Sequence, residues 1–127
     1  MLRFASLAMG IGLALLASPA VAQEPIKDGD TVTGVLRLVR ARHPNGTRIE
    51  AYQIVSAPRA MPEGDDFCDY DKAVTTFHLF APTVAARTQL KPLLGKTITA
   101  KATALFCSQT AWHIGDVAVP EWTLVNR

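Results

Sequence analysis

TITAKATALF, residues 97–106, alternates one side chain at a time: Ile98, Ala100, Ala102, Ala104 and Phe106 fall on one face, and Thr97, Thr99, Lys101 and Thr103 on the other. A period of two turns one row toward a core and the other toward water, the pattern of a half-buried β-strand. Gly95, just ahead of it, suits the left-handed residue that ends a helix. Upstream, residues 82–94 read as a short helical connection whose Val84, Leu90, Leu93 and Leu94 cover a core, with Pro92 limiting its regularity. Before that, residues 73–80 read as a strand.

Toward the N-terminus, residues 31–39 (TVTGVLRLV) are mostly β-branched or apolar and form a first strand. It ends at His43-Pro44-Asn45-Gly46, where proline presets the first turn position and glycine accepts a left-handed one, so a hairpin results. The returning strand, 48–55, carries Ile49, Ala51 and Val55 on one side and Tyr52 and Ile54 on the other, which leaves inside and outside undecided. Residues 56–71 hold two prolines, a glycine and the acids Glu63, Asp65, Asp66, Asp69 and Asp71, the composition of an exposed connection. At the other end, 111–125 is expected to form a bent terminal strand or two short ones. GDTVTG (29–34) and GKTITA (95–100) match in type, each opening an expected hairpin, so the two hairpins are expected to play similar roles.

Residues 1–22, MLRFASLAMGIGLALLASPAVA, have the order of an export signal: Arg3, an apolar run over 7–17, Pro19, then Ala20-Val21-Ala22. Cleavage is expected before Gln23. The apolar run falls short of the roughly 20 residues that span a bilayer, so the mature chain is expected to be free of a membrane anchor and periplasmic or secreted. Losing Arg3 leaves twelve basic against eleven acidic side chains. A nearly neutral exported domain has neither the field nor the compartment for nucleic acid. Cys68 and Cys107 are the two cysteines, so an oxidising compartment makes them one disulfide, contributing roughly 4 kcal/mol through closure of its loop. Residues 23–127 make a single domain.

Strand, strand, strand, short helix, strand, strand is the order of an OB-fold. The expected fold is therefore mainly β: a small OB-like five-stranded Greek-key barrel with one short helix between strands 3 and 4 and one disulfide. In such a barrel the third and fifth strands run side by side in parallel, and Cys68 and Cys107 precede those two strands. Residues 90–124, with a leucine-rich turn, Gly95-Lys96, an alternating strand and a histidine-containing turn before the last strand, resemble the second half of an exported bacterial domain family of unknown function. Where that family often has adjacent histidines this chain has Trp112-His113, and where it usually has a strand glycine there is Ala102. The resemblance implies the fold and no activity.

His43, His78 and His113 form no recognisable metal-ligand spacing, and solvated or hydrogen-bonded rings are the expected outcome. The acids of 63–71 lack the order of a calcium loop. Ser108, His113 and Asp116 lie close in sequence without a nucleophile elbow. Arg37, Arg40, Arg42 and Arg48 gather on the first hairpin, opposite in charge to the loop that follows. OB-folds bind through strands two and three and the flanking loops, which selects Arg42, Arg48, Tyr52, His78, Trp112 and His113 as ligand-binding candidates, with ordinary barrel packing as the competing role for Tyr52 and Trp112. The leading expectation is a non-enzymatic binding or accessory module without a cofactor, its partner an envelope protein or glycan. The alternatives are a small metal-binding protein or hydrolase using His113 with Asp116 or His78, and an inhibitor or immunity protein against a cell-wall enzyme.

Overall fold

The computed structural model describes residues 24–125, so the expected export signal, residues 1–22, and its expected cleavage site lie outside the described residues. Five strands close into one barrel in the order β1-β2-β3-β5-β4: β1 (Thr31–Arg42), β2 (Arg48–Arg59), β3 (Val74–Leu79), β4 (Thr97–Cys107) and β5 (Val117–Val125). Between β3 and β4 lie helix α1 (Val84–Leu90) and a 3₁₀ turn (Lys91–Leu93). The strand order and the single helix are those of the OB-like barrel.

The first hairpin forms as its turn residues dictate. Gly46 adopts φ 94°, its amide donates to the His43 carbonyl at 2.8 Å, and the Asn45 side chain accepts from the Thr47 amide at 2.9 Å. From there β1 and β2 zip antiparallel, Arg42 opposite Arg48 through to Gly34 opposite Ser56. The two echoing segments meet face to face: Val32 pairs with Ala100 and Thr33 with Thr99, whose hydroxyls lie 2.7 Å apart. The echo thus marks the β1–β4 seam that closes the barrel, as well as the openings of two antiparallel pairs.

Because β3 and β5 run parallel, with Phe77 opposite Val117 and Leu79 opposite Val119, a crossover must join them, and α1 with β4 supplies it. Thr83 caps α1 by accepting the Ala86 amide at 3.0 Å. Leu90 is fully buried and Leu93 and Leu94 pack on the core, but Val84, expected to cover the core, is 71% exposed: six positions at about 100° each put it roughly 120° around the helix from Leu90. Around Leu90 the core gathers Ile26, Val32, Leu36, Ile54, Val74, Phe77, Val117 and Val119.

Three expectations need correcting. β4 keeps its alternation through Ile98, Ala100 and Ala102, then slips at irregularities between Ala102 and Phe106. Beyond them Leu105 packs on the core and Cys107 is buried, whereas Phe106 turns outward to His113; an extra residue in a ladder flips every side chain after it. Pro120, opposite this stretch on β5, has no amide to continue the ladder. β2 runs on to Arg59, past an irregularity after Val55. The last strand begins only at Val117, leaving Trp112 and Ile114 in the β4–β5 loop.

Cys68 and Cys107 are joined, tying the β2–β3 loop to the end of β4 with Cα atoms 5.2 Å apart. Asp65 reinforces the tie, its carboxylate accepting the Cys107 amide at 2.8 Å. Among the described residues no helix is long and apolar enough to cross a membrane.

Candidate functional site

One outward-facing row crosses the sheet through Arg37 on β1, Gln53 on β2, His78 on β3 and Ala118 on β5. The β4–β5 loop, residues 108–116, folds over this row and is bonded to it. Arg37 Nε donates to Gln53 Oε1 at 2.7 Å, Gln53 Nε2 to the Ile114 carbonyl at 2.7 Å, and the Ile114 amide to His78 Nδ1 at 2.9 Å. Gln53 and His78 are the two buried polar side chains among the described residues, and this loop is what buries them. The middle of β2 is therefore covered on both faces, Tyr52 and Ile54 by the core and Gln53 by the loop, while Ile49 and Val55 on the loop side stay half-buried.

Two clamps hold the loop. At its C-terminal end the Asp116 carboxylate accepts the amides of Thr75 at 2.9 Å and Thr76 at 3.2 Å, while its own amide donates to Thr76 Oγ1 at 2.8 Å. At its N-terminal end His113 Nδ1 accepts the amides of Gln109 at 2.9 Å and Thr110 at 3.3 Å, and Ser108 Oγ donates to the Gly115 carbonyl. Gly115 has φ 153°, a backbone conformation that side-chain-bearing residues rarely adopt, so glycine suits the loop's last turn there; a Cβ would meet Gln53 Nε2 and the His78 amide nitrogen at ordinary contact distance, 3.4 Å.

The tip of the first hairpin reaches the same place. His43 stacks on Trp112 with ring centroids 3.8 Å apart and planes inclined by 22°, while its Nδ1 accepts the Asn45 amide at 3.0 Å. Phe80 lies 4.7 Å from His78 and 5.7 Å from His113, and Phe106 meets His113 edge-on at 5.3 Å. A cleft of about 270 Å³ opens here, lined by His78, Phe80, Ala81, Pro82, Trp112 and His113. A larger hollow of about 560 Å³ follows the segment 24–28, but no histidine or aromatic side chain lines it.

All three histidines accept a backbone amide at Nδ1, which in the neutral ring leaves the proton on Nε2. They offer N–H donors, not lone pairs for a metal. Among the described residues the one group of potential ligands close enough to share an ion is Asp65, Cys68 and Cys107, and its two sulfurs are bonded to each other. Burial, with the like charge of His113 second, pushes the His78 pKa down to about 4; burial also lowers that of His113. The side chains of Ser108, His113 and Asp116 bond to other groups and not to one another; the link between Ser108 and Asp116 is backbone, the Ser108 amide donating to the Asp116 carbonyl at 3.0 Å.

Of the six residues selected from sequence, His78, Trp112 and His113 meet at the cleft. Arg42 and Arg48 face each other at the exposed end of the hairpin, where Arg42 Nη1 donates to the Gly46 carbonyl at 3.0 Å. Tyr52 turns inward, is 8% exposed and belongs to the core, because its strand neighbours Leu38 and Leu79 are core residues. Sequence reasoning did not select Gln53, Phe80, Phe106 or His43 for the surface. A glutamine inside an apolar strand was the available signal for Gln53.

The lowered pKa of His78 has a consequence for stability. A folded pKa of about 4 against 6.5 in the unfolded chain means that neutral His78 contributes fully above pH 6.5, and that the contribution is lost as pH falls toward 4. The loss should reach about 2 kcal/mol, since solvent reaches the ring through the cleft. His78→Asn keeps an acceptor near the Nδ1 position and cannot take the proton. Denaturant unfolding between neutral pH and pH 4 should show the wild-type protein losing that much more stability than the variant, and parallel profiles would refute the assignment.

Comparisons of the chain with protein-family models, with curated proteins and with solved structures found no match, so the reading of this cleft rests on its own geometry.

Proposed function

We propose that the mature chain is an exported, non-enzymatic OB-like module that binds a partner in the cell envelope through the surface shared by the first hairpin and the β4–β5 loop. The observation that carries this reading is Trp112. It is 44% exposed beside a cleft, yet held by its stack on His43. A large aromatic ring kept in water and already immobilised loses little entropy on meeting a partner. The cleft histidines spend one nitrogen each on fixing the loop and keep an N–H for a ligand, which supports recognition over proton transfer. The partners of Ser108, His113 and Asp116 likewise favour binding over hydrolysis. Export is supported by the order of residues 1–22 and agrees with the disulfide; the likeness of residues 90–124 to an exported bacterial family belongs to the same reading.

Arg42 and Arg48 extend the surface. Arg40 is paired with Glu50 at 3.0 Å, whereas Arg42 and Arg48 stand directly opposite each other, a cost that a partner's acidic group would offset. Immobilised mature protein should retain a specific partner from periplasmic extract. Trp112→Ala should abolish retention, and the double reversal Arg42→Glu with Arg48→Glu should do so with little change in Tm, because exposed charges contribute little to folding. Retention at wild-type strength by both variants would show that the surface is only a solvated face.

A further inference from the structure

Resting on that reading, we propose that the cleft holds one ring of an acetamido sugar, its apolar face against Trp112 and its amide carbonyl accepting from the histidine Nε2–H groups. The first argument is size. A volume of about 270 Å³ lies just below the roughly 300–1,000 Å³ of pockets for drug-sized ligands, so one ring-sized unit fits.

The second argument is hydrogen-bonding character. His78 is only 8% exposed, yet no buried side-chain nitrogen or oxygen among the described residues lacks a partner. Its Nε2, which has no partner within the described residues, therefore reaches solvent, and His78 and His113 both line the cleft. Four acceptors at the cleft are already engaged. Both Nδ1 atoms take loop amides, the Phe80 carbonyl takes Trp122 Nε1 at 2.8 Å, and the Ala81 carbonyl takes Arg87 Nη1 at 3.0 Å. A cleft of donors suits a ligand that brings a strong acceptor, and a ring bearing only hydroxyls would leave its own donors unmatched. No lysine, arginine, aspartate or glutamate lines the cleft, which favours a neutral carbonyl over a carboxylate.

The third argument is the platform. His43 covers one face of the Trp112 indole and does not line the cleft, so the indole meets the cleft with its remaining surface. Phe80 and Pro82 offer an apolar wall for the acetyl methyl. A peptide strand is the weaker fit, because the barrel is closed and has no free edge to extend.

Calorimetric titration of the mature protein at neutral pH with a chitin-derived tetrasaccharide, and with the cellulose-derived tetrasaccharide that lacks the acetamido groups, tests this. Saturable binding of the first is expected, weakened roughly tenfold or more for the second by the unmatched N–H donors. Trp112→Ala should lose roughly tenfold or more in affinity, as loss of a stacking platform does elsewhere, and Trp112→Phe should keep most of it. Absence of binding at millimolar sugar, equal binding of the two sugars, or unchanged affinity in Trp112→Ala overturns the proposal. Failure here with continued Trp112-dependent retention of an envelope protein would leave the binding-module reading standing and the sugar wrong; failure of both would remove both.

Discussion

Opening the Cys68–Cys107 disulfide should cost the domain about 4 kcal/mol of folding stability, and its Tm roughly 15–30 °C. The bond spans a sequence separation of 39, and releasing a loop of that length returns its conformational freedom to the unfolded chain. The β2–β3 connection that Cys68 anchors is also the acidic one. Glu63, Asp65, Asp66, Asp69 and Asp71 lie in it; besides the disulfide it is tied to the rest of the barrel by Asp65 accepting the Cys107 amide, by the Ile26 amide donating to the Ala60 carbonyl at 3.3 Å and by buried Met61, while Tyr70 Oη donates within it to the Pro62 carbonyl at 2.8 Å. Equilibrium urea unfolding of the oxidised protein, of the thiol-reduced protein and of the Cys68→Ala, Cys107→Ala variant checks this. The last two should agree with each other and fall well below the first. A difference under about 1 kcal/mol would mean that the barrel is held without the crosslink, in conflict with the loop-entropy account.

Gly34→Ala should cost about 3 kcal/mol, a large effect for one methyl group. Gly34 pairs with Ser56 on β2 and with Ile98 on β4, so it sits where β1 passes from one neighbour to the other as the barrel closes. A Cβ there would lie 2.1 Å from the Val55 carbonyl oxygen and 2.9 Å from Ile54 Cγ2. The first obstacle is backbone, in a strand paired on both sides, and it cannot rotate away as a flexible side chain would. Gly46→Ala, with nothing within 4 Å of the added carbon but a φ of 94°, isolates the cost of backbone conformation alone and should be much milder. Chemical denaturation of the two variants should separate them clearly. Gly34→Ala near wild-type stability would show that β1 can shift at the seam.

Much of the fold is legible in the sequence because its determinants are local. The alternation of residues 97–102, the Pro44-Asn45-Gly46 turn, the glycine after the helix and the exposed acidic connection each specify a few residues of backbone, and each has its expected place. Two cysteines allow one pairing, and the parallel β3–β5 neighbours bring those cysteines together. The candidate site is legible only in part. His78, Trp112 and His113 stand out by residue type and by the loops an OB-like barrel uses, whereas Tyr52 has the same kind of side chain and faces the core.

What the sequence determined by itself, then, is the set of strands, their turns, their order around the barrel and the one crosslink. Tertiary structure alone decided which sides of those strands are covered and which ring nitrogen of each histidine is engaged. Gln53 and Ile114 are 61 residues apart and His78 and Ile114 36 apart, yet their two hydrogen bonds fold the loop onto the sheet and create the cleft. The phase slip that turns Phe106 toward His113 likewise arises from the register of β4 against β5 around Pro120. Such features depend on which backbone groups a closed barrel leaves unpaired, and that is settled only when distant strands meet.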